Sequence, residues 1–413
     1  MRPSPSPLGL LLVTLLVCAV VPGRAQTAPA YDPKTDTLVY VGTYTRQKSK
    51  GIYYYRLQTR NNEVAQNITL VPLGLAAEAV NPSFLVVDHA RRLLFCVNET
   101  NEFAGQPGGA VSAYAIEPAT GKLRLINQQP TRGTGPCHLA LDRTGRHLVV
   151  SNYGGGSVTV VPVAADGTLG EPSDFVQHAG SSVHPQRQQG PHAHGAAFST
   201  DNRFVYICDL GLDRVLIYKF DAATGRLTPA DPSFTALAPG SGPRHVVFRP
   251  DGKFAYVINE LTSTVTAFAH DAATGALQEI QTITTLPGYY DGPNTTAEID
   301  VHPSGKWLYA SNRGNETVVL FNIDAAAGTL TYTEEQNTGG KKPRHFGIEP
   351  SARHLVIANQ DSDTLLVCRI DAGNGRLKPS GVFAEAPSPV CAVFVPPPGP
   401  AAPAVRIPGE DPE

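Results

Sequence analysis

The sequence lacks the features that mark several large protein classes. Its longest apolar run, Leu8 to Val21, has about 14 residues, too short to span a bilayer. No sustained heptad pattern appears, which removes a coiled coil. There is one tryptophan, Trp307, and a leucine follows it, so the Trp-Asp dipeptide of WD40 propellers is absent. No Gly-x-Ser-x-Gly nucleophile elbow occurs. Gly154-Gly155-Gly156 follows a strand pattern with no helix opening after it, so it reads as a turn and not a phosphate cradle. Charged residues make up only 17% and the net charge is −3, which gives no basis for binding nucleic acid or an anionic membrane. Cysteines are few and scattered. Beyond Cys18 there are Cys96, Cys137, Cys208, Cys368 and Cys391, with no CxxC pair and no metal-ligand spacing, so they are expected to be small buried hydrophobes.

What is present points to an exported chain rich in short strands. Arg2 precedes the apolar run, Pro22-Gly23 ends it, and Gly23-Arg24-Ala25 places small residues where a signal peptidase cuts. Residues 1–25 are therefore expected to be a signal peptide, which implies a periplasmic or extracellular location and no membrane contact after cleavage. Residues 26–36 form an N-terminal extension, and 396–413 a Pro-rich tail with too little apolar surface to fold. The 39 glycines and 36 prolines suit many strands joined by turns.

Self-similarity decides the architecture between those limits. Six segments align: NPSFLVVDHARRLLFCVNE from Asn81, GPCHLALDRTGRHLVVSNY from Gly135, PHAHGAAFSTDNRFVYICDL from Pro191, GPRHVVFRPDGKFAYVINE from Gly242, TAEIDVHPSGKWLYASNRG from Thr296, and KPRHFGIEPSARHLVIANQ from Lys342. Each reads as a strand, a tight turn and a second strand. A third strand follows, then a DAATG-like turn and a fourth, at a period of roughly 46 to 55 residues. Thr37–Tyr44 matches a second strand with no first, and Pro389–Val395 a first strand with no second. Pairing the two ends completes a seventh unit and removes the free sheet edges. The fold expected is all-β: a seven-bladed propeller with four-stranded blades, spanning 37–395.

Antiparallel pairing puts the start of strand one and the end of strand two at the same rim. The first-strand position reads Ser83, Cys137, His194, Arg244, Ala297, Arg344, and the next reads Phe84, His138, Gly195, His245, Glu298, His345. The ends of the second strands read Glu99, Tyr153, Leu210, Glu260, Arg313, Gln360, with Tyr44 from the split unit. Interior strand positions ordinarily carry apolar residues, yet here charged, imidazole and phenol groups gather on one face. His194, Arg244, Glu260 and Arg313 come from adjacent units. Imidazole and carboxylate serve as general acid or base, and guanidinium groups clamp anions or stabilise an oxyanion. The set suits acyl chemistry on an anionic or polyhydroxylated small molecule. His192, His245, Glu298, Arg344, His345 and His138 are the candidate substrate-binding residues around it. No metal is expected; His192 and His194 would need a third ligand such as His178 or His184. Two long loops, Gln177–Gly190 and Leu286–Thr296, should border the same rim, and Tyr289 and Tyr290 offer rings for stacking.

These units resemble the lactonase family of seven-bladed propellers, which includes propeller-type 6-phosphogluconolactonases and the fungal carboxymuconate-lactonising enzyme. The resemblance covers about Thr37 to Val395. Its most specific parts are His194 in HAH, Arg244 in GPRH, Glu260 in NE and Arg313 in SNRG. It implies a cofactor-free lactone hydrolase in which these four residues are catalytic. The substrate would be a small-molecule lactone or an anionic sugar derivative. Two alternatives stay open at this point: a propeller that binds a small molecule or carbohydrate without turnover, and a muconate-type lactone cycloisomerase. A monomer is expected. Export argues against 6-phosphogluconolactone itself, a cytosolic metabolite.

Overall fold

The computed structural model describes residues 1, 31–46, 48–62 and 65–397. Residues 2–25 of the expected signal peptide and 398–413 of the tail lie outside the described residues. Strands dominate from residue 37 onward, and the helical element among the described residues is one short turn, Gln360–Ser362.

Seven four-stranded antiparallel sheets form the blades. The innermost strands of blades 1 to 6 are Leu85–Asp88, Pro136–Leu141, Ala193–Phe198, Pro243–Phe248, Thr296–Val301 and Pro343–Ile348. Blade 7 takes its innermost strand, Pro389–Val395, from the end of the chain and its other three, Thr37–Thr43, Gly51–Asn62 and Ala65–Glu78, from the beginning. The expected closure is present: Leu38 pairs with Val395 and Tyr40 with Val393 across the two ends. Each innermost strand lies against those of both neighbouring blades, all the way round.

Burial explains why the second strands read as unbroken apolar runs. Phe254–Asn259 and Trp307–Asn312 are buried at every position, because each is covered on both faces by adjacent blades. Seven apolar clusters are present among the described residues, one between each pair of neighbours. Phe254, Tyr256 and Ile258 of blade 4 meet Ile299, Leu308 and Phe321 of blade 5, for instance. Each large side chain so buried contributes about 1.5–3 kcal/mol. All five described cysteines are buried and unpaired, as their apolar settings suggested.

A repeated hydrogen bond ties the blades together at their lower ends. The hydroxyls of Tyr206, Tyr256 and Tyr309 donate to the carbonyls of Gly275, Gly328 and Gly375, each in the DAATG-like turn of the next blade. Tyr40 makes the equivalent bond to Gly121 across the closure. These turns need glycine: Gly275, Gly328 and Gly375 have φ between +71° and +82°.

Candidate active site

Two local devices build the mouth of the propeller. The first is a β-bulge in the innermost strands. Pairing skips a residue between Pro136 and His138, Pro243 and His245, and Pro343 and His345, and two residues between Ala193 and Ala196 and between Thr296 and Ile299. The extra residue leaves the ladder, so Arg344 lines the mouth and Arg244 is buried against Glu260 just off its lining, while His245 and His345 face the axis one layer down. The second device fixes the end of strand two. Asn152, Asn259, Asn312 and Asn359 are fully buried there and donate to hydroxyls of strand three, Asn259 to Thr264 and Thr266. The following residue then leaves the strand, held by its backbone N–H: Glu260 to Gly242 O at 2.7 Å and Arg313 to Thr295 O at 2.7 Å.

Three guanidinium groups converge on the Glu260 carboxylate. Arg187 Nη2 lies 2.6 Å from Oε1, Arg313 Nη2 2.9 Å from Oε2, and Arg244 Nε 3.2 Å from Oε2. Two are anchored further, Arg313 to Thr296 O and Arg244 to Ala297 O. Burial pushes the Glu260 carboxyl up, but Arg313, Arg244 and Arg187 outweigh it and hold it at about 2. Burial likewise pulls Arg313 down to about 10. One carboxylate thus answers three cations, leaving two positive charges uncompensated at this wall.

His194 stands in the same pocket, a cavity of about 390 Å³ also lined by Tyr153, Arg187, Glu260, Arg313 and Arg344. Its ring is buried, and burial with the nearby Arg244 and His245 keeps it far below the ordinary imidazole range. The ring is neutral near pH 7, and its Nδ1 has no hydrogen-bond partner among the described residues. His192 is placed outside the pocket lining. Its ring stacks on Tyr153 at 4.5 Å and its Nδ1 bonds Tyr153 O, so it supports the tyrosine. On the far wall Arg344 donates to Tyr44 Oη, which donates to Glu99, and Lys342 pairs with Asp361.

The structure places His138, His245, Glu298 and His345 one layer below the mouth, off the pocket lining. His245 Nδ1 is 3.1 Å from Glu298 Oε1 and His345 Nε2 is 3.5 Å from Oε2. Phe84 fills the middle, its ring 4.1 Å from that of His138. Burial raises Glu298 and lowers His345 to about 4. The layer is a floor: Arg244 Nη1 rests 3.1 Å from His245 Nε2. Beneath it Glu298, Asp300 and His345 border a second cavity of about 500 Å³ towards the hairpin-turn end.

The long loop Gln177–Gly190 supplies the residue that sequence reasoning missed. Arg187 has no counterpart in the other units, so no repeat alignment could nominate it; its setting in an unusually long rim loop was the available signal. The loop is fastened by buried Asp213, whose carboxylate accepts from Ser182 Oγ, Gln188 Nε2, Gly240 N and Gly242 N. His178, offered above as a third metal ligand, bonds Asp209 and Tyr218 instead. His184 Nδ1 accepts from the backbone of Gln186 and Arg187. The second loop brings Thr295 to the pocket but not its tyrosines. Tyr289 is 79% exposed and bonds Glu335, and Tyr290 bonds Pro293 O within its own loop.

Comparison with known proteins gives concordant matches. Residues 38–394 fit the family described as lactonase, 7-bladed β-propeller. The chain is 33% identical over 361 residues to a 6-phosphogluconolactonase of Bacillus subtilis, covering 87% of this chain and 99% of that one. A 6-phosphogluconolactonase of Formosa agariphila is 33% identical over 316 residues, covering 75% of this chain and 86% of its own. The solved structure of a periplasmic gluconolactonase from Pseudomonas aeruginosa superposes with a TM-score of 0.80 at 35% identity, covering 88% of this chain and all of that one.

Proposed function

The chain belongs to the lactonase family of seven-bladed β-propellers and is a lactone hydrolase, and from that premise we propose that it opens a sugar-type or carboxylated lactone at the His194, Arg244, Glu260 and Arg313 site. One observation carries the assignment of roles: Glu260 is ionised with both oxygens engaged by guanidinium groups, whereas the neutral His194 ring lines the pocket with no side-chain hydrogen-bond partner among the described residues. Glu260 is a poor proton acceptor in that state, and His194 is the base.

In the reaction the pocket-side nitrogen of the His194 ring, Nε2, takes a proton from water as its oxygen attacks the lactone carbonyl. Charge developing on the carbonyl oxygen faces Arg313, with Glu260 and the Thr296 carbonyl fixing that guanidinium in place. Collapse breaks the ring C–O bond, and the imidazolium returns its proton to the departing alkoxide. Water and lactone are consumed and one hydroxy acid forms. The uncompensated positive charge at this wall favours a substrate that carries or develops negative charge.

Export is part of the proposal. It is supported by the Leu8–Val21 run with its cleavage pattern and by the likeness to a periplasmic gluconolactonase. Among the described residues no helix is long and apolar enough to cross a membrane.

Mass spectrometry on a panel of aldonolactones and a muconate tests the reading. With chromatographic separation before detection, hydrolysis adds one water to the lactone, cycloisomerisation gives a new peak of unchanged mass, and a binding propeller leaves the panel untouched. His194→Ala should lower kcat by about 10²–10⁴-fold; full turnover in that variant would remove the proposed base.

A further inference from the structure

We propose that Arg187 is a specificity-determining residue of this site, recognising an anionic substituent that a lactone carries away from its ring carbonyl. The inference rests on the lactonase reading above and refines its substrate class.

The three cations on Glu260 are not equivalent. The Arg244 and Arg313 side chains are 3% and 11% exposed, they come from the blades, and each is tied to a main-chain carbonyl. Arg187 is 35% exposed and comes from the loop. Its Nη2 alone is engaged, by Glu260 at 2.6 Å and Tyr153 Oη at 3.0 Å. Among the described residues nothing occupies its Nε or Nη1, so N–H donors of the guanidinium stay open in a residue that lines the pocket. Each open N–H can give a charge-assisted hydrogen bond to an oxygen of a carboxylate or a phosphate.

The other basic groups of the pocket are already answered. Lys342 pairs with Asp361, and Arg344 is bonded to Tyr44 beside Glu99. The loop is also rigid where this role needs it. Buried Gln188, adjacent to Arg187, donates to Asp213 and to Leu210 O, and Ser182 N closes the loop on Gln188 O. A guanidinium held on such a base binds an anion with little ordering cost. Its charge stays through any useful pH range, because Glu260 and Tyr153 raise it against burial.

Steady-state kinetics on three lactones tests this with the full-length enzyme. The panel is 6-phosphoglucono-δ-lactone, with a phosphate; glucaro-1,4-lactone, with a carboxylate; and neutral glucono-δ-lactone. Arg187→Gln should lower kcat/KM on the anionic lactones about 10- to 100-fold more than on the neutral one. The differential should lie in KM, and Arg187→Lys should recover part of it. A larger effect on phosphate than on carboxylate, or the reverse, identifies which anion the edge fits. An equal fall on all three lactones, or a loss confined to kcat, overturns the role and leaves Arg187 as a positioning residue for Glu260. If Arg187→Gln does not fold, Arg187→Lys carries the same comparison of substrates. A wild-type enzyme that opens none of the three removes the lactonase reading, and the role of Arg187 with it. A wild type that opens them while selectivity is unmoved by either substitution sinks only the latter.

Discussion

Replacing Glu260 with glutamine should cost about 3 kcal/mol of stability at neutral pH, a value reached by two routes. The substitution keeps the shape but leaves three guanidinium groups, two of them deeply buried, facing a neutral amide. Removing one partner from a buried ion pair typically costs about 3–5 kcal/mol, because the remaining charge is uncompensated. The titration gives the second route. A carboxyl at about 2 in the fold, against an ordinary 4.5, contributes about 3 kcal/mol once both states are ionised. The folded value is depressed, so this contribution is complete above about pH 5 and fades as the pH falls from there towards 2. Urea unfolding of wild type and Glu260→Gln across that range should therefore show a gap that is flat near neutrality and closes in acid. Sulfate should stabilise the variant more than the wild type, because an anion can occupy the vacated charge position. A variant within about 0.5 kcal/mol of wild type at pH 7, or a gap that persists undiminished at pH 3, would refute the charge-anchor argument.

Two further outcomes follow from carboxylates elsewhere, Asp213 buried and Asp300 half-buried. Asp213→Ala removes the acceptor for Ser182, Gln188, Gly240 and Gly242, and should cost about 3 kcal/mol while making the bond after Arg187 a fast trypsin site; unchanged limited proteolysis would show the loop to be held by other means. Asp300 shares the lower cavity with Val86, Val247 and Val393, and burial, followed by Glu298, raises its carboxyl to about 7. Its folded value exceeds its unfolded one, so stability falls as the pH rises from about 4 to 7, and Asp300→Asn should stabilise at pH 8 by up to about 4 kcal/mol, less what cavity water recovers, and hardly at pH 4. Equal stability of the two proteins at pH 8 would mean that the carboxylate is fully solvated.

The fold was legible in the sequence because a repeat states its own period. Six copies aligned without gaps through their first two strands, and the orphan segments Thr37–Tyr44 and Pro389–Val395 completed each other. Equivalent positions in a repeat occupy equivalent places, which is why His194, Arg244, Glu260 and Arg313 could be grouped before any coordinates. Depth along the axis was not legible. Strict alternation would put Arg244 and His245 on opposite faces, and the bulge that turns both towards the axis leaves no composition signal. The histidine layer with Glu298 consequently read as part of the mouth, although it is the floor. Arg187 lay beyond reach for another reason, since a loop with no sister copies cannot be aligned. The tyrosines of the second loop had the right chemistry, but a loop sequence alone does not fix where a ring points.

The residue that leaves the ladder at the bulge in these five innermost strands has a wider meaning for how such a ring can change its chemistry. That side chain belongs neither to the ladder nor to the apolar layers between blades, so its identity is nearly independent of what keeps the ring standing. In three blades the slot holds His194, Arg244 or Arg344, and in others it holds Cys137 or Ala297. Cys137 lines the mouth pocket, so on a frame that already stands a new reactivity installed at position 137 would face the site without rebuilding a blade.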